Sequence, residues 1–300
     1  MNKEVIEKIE KLNNDYLEII NSKEFLKYKD NLKIKENIKK FKFSFIFEKV
    51  INRLKSKKYK KFLERKVNYN YKFNYEKPRI VIYTCMTGNY DNIETPFLQF
   101  DNVDYIAYVD NNKKYDGWKT KKIPKSVMDK VKGNVNINRY IKMHPIELFQ
   151  DKYDYSIYVD SNIQIIGDLR ELLRNINDKT GLAIHNHRER ISIYDEIDYC
   201  ITYKRGNISK LKEIKNVFYK EKFPNNFGVY ECNILVTDLN SKKSQKIYYD
   251  WWEDFIARQL GRDQISLPYV VWKNNYKFDD IGILGNNVYL NPKIRINKHR

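Results

Sequence analysis

The stretch Tyr155-Ser156-Ile157-Tyr158-Val159-Asp160-Ser161-Asn162-Ile163 decides how this 300-residue chain is read. An apolar strand runs into a carboxylate and a carboxamide two residues apart, which places both on one side at its C-terminal end. Outward from it, residues 79–84 (Arg-Ile-Val-Ile-Tyr-Thr), 105–109, 182–185 and 233–237 read as further strands. Residues 138–143 read as a helix, and Asp168-Leu169-Arg170-Glu171 as a capping box opening a helix with Leu172 and Leu173. Ser241 caps a helix through Trp251, Trp252, Phe255 and Ile256 that Gly261 stops, and a last helix begins near Asp263. Strands interleaved with helices predict an α/β sheet that binds ligands at the C-terminal ends of its strands.

Composition narrows the class. A hydrophobic content of 42% furnishes a core, while seven Pro and ten Gly exclude collagen-like or low-complexity architecture. No stretch approaches the roughly 20 apolar residues that span a bilayer, and the charged N-terminus has no secretory h-region, so the expected compartment is the cytoplasm. Cys85, Cys200 and Cys232 are odd in number and lack CxxC spacing, which argues against a disulfide framework and a cysteine zinc site. The net charge of +18 sits in a composition rich in Lys, Asn, Ile and Tyr, so its distribution says more than its size.

Asp160 and Asn162 present hard oxygens that suit Mn²⁺ or Mg²⁺ carrying a diphosphate. Asp-Ser-Asn is also ordinary strand-exit turn chemistry, the simpler reading on spacing alone. Arg139 and Lys142 stand three apart on one helical face, placed either to meet a diphosphate or to lie solvated on the surface.

Taken with Thr84-Cys85-Met86-Thr87-Gly88-Asn89-Tyr90-Asp91, His144 and Arg262-Asp263-Gln264-Ile265-Ser266, these segments resemble a glycosyltransferase-like family of plants and bacteria. It was once catalogued as a domain of unknown function, and its bacterial members occur among surface-polysaccharide genes. More broadly the chain is similar to GT-A glycosyltransferases, whose D-x-D motif ends a central strand. The resemblance covers residues 79–273 and implies a GT-A-like, Rossmann-type mixed sheet flanked by helices. The expected organisation is a basic helical region at 1–77 and a catalytic domain at 78–300. The implied activity is metal-assisted hexosyl transfer from a nucleoside diphosphate sugar to a glycan or lipid-linked glycan acceptor of a capsule or other surface polysaccharide.

The resemblance also implies roles. Thr84, Thr87, Gly88, Tyr90, Asp110, Arg139, Lys142, His144, Asp160, Arg262 and Gln264 would bind the donor, with Asp160 and Asn162 on the metal. Asn162 departs from D-x-D by supplying only a carbonyl oxygen. Asp263 would hold the transferred sugar or act as base, and Glu231 is a second candidate base. His185, His187 and Arg188 read as an acceptor-side loop. His299 corresponds to a terminal histidine that completes the metal site in some GT-A enzymes, although its place at the chain end reads as a frayed tail.

The N-terminal region carries twelve Lys or Arg against two Glu at residues 39–66, beside Phe41, Phe43, Phe45 and Phe47. These suit a peripheral contact with an anionic membrane, or a helical subdomain that packs on the catalytic domain or forms a homodimer. Nucleic acid, met through Tyr59 and Phe62, is the alternative partner, but no recognition motif supports it. A non-catalytic nucleotide-sugar or glycan binder is the other alternative.

Overall fold

The computed structural model describes Glu4, Glu7, Lys8, residues 11–15 and residues 77–299. The few N-terminal residues described are helical, as expected, whereas the basic and aromatic segment at 39–66 lies outside the described residues.

Seven strands form one sheet: β1 (Ile80–Met86), β2 (Val103–Val109), β3 (Lys119–Lys122), β4 (Tyr155–Val159), β6 (Leu182–Asn186), β7 (Tyr230–Asp238) and β8 (Gly282–Ile283). Their order is β3-β2-β1-β4-β7-β6-β8, and β7 runs against the rest. The architecture is the mixed α/β sheet that the sequence predicts. β1 and β4 are buried along their whole length, as central strands covered on both faces must be. Alternate residues feed two cores: Val81, Tyr83 and Cys85 pack with the helices on one face, and Ile80, Ile82 and Met86 pack on the other.

Helices α1 (Lys125–Lys130), α2 (Asn134–Met143) and α3 (Pro145–Phe149) connect β3 to β4. α4 (Ile193–Thr202) and α5 (Ile208–Lys220) connect β6 to β7, and α6 (Lys242–Arg258) and α7 (Asp263–Lys273) follow β7. α6 begins where Ser241 accepts the Ser244 N–H. It ends before Gly261, because Gln259 takes the left-handed conformation itself. The segment opened by Asp168 is a 3₁₀ helix, Leu169–Asn175, in which Asp168 accepts the Arg170 N–H and Glu171 pairs with Lys293.

Parallel register between β1 and β4 and antiparallel register between β4 and β7 bring Thr87, Asp160 and the start of β7 to one edge. β6 pairs regularly with β7 until Ile184, opposite Leu235, and then jumps to His185 opposite Glu231. That irregularity leaves Cys232, Asn233 and Ile234 without partners on β6 and sets the start of β7 at the same edge. A two-stranded ribbon of β5 (Ile163–Ile165) and β9 (Ile294–Ile296) returns the C-terminal segment to the Asp160 turn. His299 is therefore not a frayed end: its Nδ1 stands 2.8 Å from the Asp91 carboxylate and its ring lies against Tyr90.

Candidate functional site

A cleft of about 1230 Å³ opens at this edge, reaching from Gly88 and Tyr90 past Asp160 and Glu231 to Arg188, Arg205 and Arg262. At its centre are four charges from three elements. Lys142, on the last turn of α2 and 1% exposed, donates to Asp263 at 2.6 Å and stands 3.6 Å from Asp160. Arg139, one helical turn earlier, reaches Asp263 at 3.1 Å. Asp263 is the first residue of α7, yet its side chain does not cap that helix. Burial alone would raise its proton affinity, but Arg139 and Lys142 overcome that effect and hold its carboxyl well below the usual range. Asp263 is thus a weak base and a strong anchor for two cations.

Asp160 leaves β4 with its N–H donated to the Asn233 carbonyl, and one carboxylate oxygen accepts from the Asn233 side chain at 2.8 Å. Asn162 is buried, gives its amide N–H to the Asn297 carbonyl, and keeps its side-chain oxygen without a hydrogen-bond partner. Among the described residues no group of three or more His, Cys, Asp or Glu side chains is arranged for a metal. One carboxylate and one unsatisfied amide oxygen still fit a hard cation that takes its remaining ligands from a diphosphate and water.

Beyond β1 the chain turns at Thr87 and Gly88. Gly88 has φ +66° and donates its N–H to the Asp110 carboxylate at 2.7 Å, while Thr87 bonds the Asn134 carbonyl at 2.9 Å. Thr87, Gly88 and Tyr90 line the cleft, and Asp110 fixes the turn from behind. Asp110, expected to meet the donor, thus does not line the cleft itself, and two further expected donor residues lie elsewhere. Thr84 is buried within β1 and does not line the cleft. His144 stacks on Tyr140 at 3.7 Å between α2 and α3, away from the cleft.

The opposite end carries groups with a different chemistry. Glu231 is 5% exposed, and burial pushes its carboxyl up to about 7 against the Arg188 charge and N–H. His187 faces it at 3.9 Å, and burial together with Arg190, Arg188 and Arg262 keeps that imidazole neutral. His185, expected on the acceptor side, is 0% exposed and does not line the cleft: it lies within the fully buried strand β6, its Nε2 3.3 Å from the Asn291 amide nitrogen. Burial drops its proton affinity to about 3. Arg188 does line the cleft, with its guanidinium 4.3 Å from the Tyr289 ring. Arg262 and Gln264 line it as well, bonded to each other at 2.9 Å.

Sequence reasoning misses Glu196, a carboxylate on α4 held between Arg190 at 2.5 Å and Arg262 at 3.6 Å. It also misses Tyr199, Arg205 and Tyr289. The dense Arg188-Glu189-Arg190 run was the available signal for this end.

No curated protein matches the sequence. Among solved structures, similar ones include the apo WbbM bifunctional glycosyltransferase, with TM-score 0.43 and 12% identity over 71% of this chain and 40% of that one. Apo mouse xyloside xylosyltransferase 1 gives TM-score 0.44 and 8% identity over 69% of this chain and 84% of that one. The chain thus spans less than half the length of WbbM. The TOD1/MUCI70, glycosyltransferase-like domain matches residues 105–280, which hold Arg139, Lys142, Asp160, Glu231 and Asp263. That match takes in more than half of the chain, which therefore belongs to the TOD1/MUCI70 glycosyltransferase-like family.

Proposed function

We propose that the protein transfers a sugar from a nucleoside diphosphate donor to a hydroxyl of a glycan acceptor, with Glu231 as the base. The observation that carries this reading is the split in proton affinity within one cleft. Asp263 stays ionised with Arg139 and Lys142, whereas Glu231 titrates at about 7. Such a pair of environments separates an electrostatic role from a proton-transfer role.

Arg139, Lys142, Arg190 and Arg262 against Asp160, Glu196 and Asp263 leave a local excess of one positive charge, which favours a bound diphosphate. Asp160 and Asn162 would hold Mn²⁺ or Mg²⁺, which when bound neutralises charge on the departing diphosphate. Thr87, Gly88 and Tyr90 line the same half of the cleft and would seat the nucleotide. At the other half, ionised Glu231 takes the proton of the acceptor hydroxyl as its oxygen bonds to the anomeric carbon. The bond from that carbon to the phosphate oxygen breaks, and its electron pair leaves with the nucleoside diphosphate. This is an inverting displacement, so the product's anomeric configuration is its direct test.

The cellular part of the reading is a cytoplasmic enzyme acting on a capsular or other surface glycan. Among the described residues no helix is long and apolar enough to cross a membrane. Contact with an anionic leaflet through residues 39–66 is part of the same proposal. Donor hydrolysis or transfer by the wild type, abolished in Glu231→Gln, tests the assignment. A folded Glu231→Gln protein with full transfer activity would overturn it.

A further inference from the structure

Resting on that reading, we infer that the acceptor carries an anionic group, a carboxylate or a phosphate, which Arg188 and Arg205 receive beside Glu231. Both guanidinium groups lie over tyrosine rings: Arg188 is 4.3 Å from Tyr289, and Arg205 is 5.2 Å from Tyr199. Both tyrosines line the cleft, as do the two arginines. A guanidinium backed by a ring keeps its planar fork oriented, and that fork matches the oxygens of a carboxylate or phosphate.

Neither cation is taken up by the cleft's own carboxylates. The Arg188 contact to Glu189 is 3.5 Å long between half-exposed neighbours, a pair of the kind that contributes little and yields to a better anion. Among the described residues no carboxylate lies within ion-pair distance of Arg205. The remaining arginines at this end are committed, Arg190 and Arg262 to Glu196. Arg188 and Arg205 also act on one spot: both lower the proton affinity of Tyr289, which burial raises and Glu231 raises further.

The loop that carries Arg205 is fixed. Gly206 has φ +89°, and a Cβ there would lie 2.7 Å from the Leu260 carbonyl oxygen, which also accepts the Asn207 N–H. Arg188 is tied down by its own N–H, 3.4 Å from the Glu231 carboxylate. The donor's diphosphate already has Arg139 and Lys142 on α2, so a second anion site beside the base belongs to the acceptor.

The test uses full-length protein saturated with the nucleoside diphosphate that most raises its melting temperature. Binding of methyl glucuronide, glucose 1-phosphate and methyl glucoside is then measured by titration calorimetry. We expect one or both anionic saccharides to bind at least tenfold more tightly than methyl glucoside, and the stronger of the two identifies the anion. Arg188→Ala/Arg205→Ala should erase that preference while the nucleotide shift persists. Absence of preference in the wild type, or a preference that survives the double substitution, overturns the inference. So does loss of the nucleotide shift in the double variant, since the arginines would then serve the donor. A wild type that no nucleotide stabilises would instead sink the donor reading beneath it.

Discussion

The Lys142 ammonium and the Asp263 carboxylate form a buried ion pair 2.6 Å long that ties the end of α2 to the start of α7. Removing Lys142 leaves the buried Asp263 carboxylate with Arg139 as its remaining ion-pair partner, and breaking a buried pair typically destabilises by about 3–5 kcal/mol. Lys142→Met should therefore lower the melting temperature by roughly 10 °C. The double variant Lys142→Met/Asp263→Leu should recover part of that loss. A melting temperature within about 2 °C of wild type for the single variant would show that Arg139 alone suffices for Asp263.

Asp263 and Glu231 should leave opposite signatures in pH-dependent stability. Asp263 has a depressed folded value, so its stabilisation is present above the ordinary aspartate range and is lost as pH falls through the folded value. Asp263→Asn should thus lower stability at pH 7 and converge with wild type in strong acid, as urea midpoints would reveal.

Glu231 has a raised folded value, so its contribution is fully present below pH 4.5 and is lost as pH rises through about 7. Glu231→Gln should gain on wild type between pH 5 and pH 8 by up to about 3 kcal/mol. Transfer by the wild type should climb through about pH 7, and Glu231→Gln should lower it by roughly 10²–10⁴. A flat pH–rate profile would remove Glu231 from the proton-transfer role.

Gly88→Ala tests the turn at the end of β1. With φ +66° an alanine is strained by roughly 1–2 kcal/mol. Its Cβ would also stand 2.5 Å from the Asn134 side chain, which can rotate away. We expect a stable protein with weakened nucleotide binding, measured by calorimetry, and a similar weakening in Asp110→Ala, which frees the Gly88 N–H.

The sheet and the centre of the cleft were legible because β-branched runs and a strand-end carboxylate leave a local signal. Residues 155–159 form the strand anticipated there, and Arg139, Lys142, Asp160 and Asp263 meet although 121 positions separate Lys142 from Asp263. What failed depended on geometry beyond local pattern. Strand alternation could not foresee the register jump between β6 and β7 that brings His185 opposite Glu231, which lines the cleft. Nor could Asp263 be distinguished from a helix cap until its two cations were in place. Glu196 comes from α4, which carries no strand-end signal, and Gly206 beside Arg205 marks a turn without marking a site.

A thermal-shift titration of nucleoside diphosphates against full-length protein, with and without Mn²⁺, tests the central claim most directly. One nucleotide at 100 times its dissociation constant should stabilise the protein by about 2.7 kcal/mol. That corresponds to a rise of roughly 5–10 °C. Mn²⁺ should enlarge the rise, and Asp160→Ala should remove the metal-dependent part. No shift with any nucleotide, or a Mn²⁺-enhanced shift unchanged in a folded Asp160→Ala protein, would contradict the account.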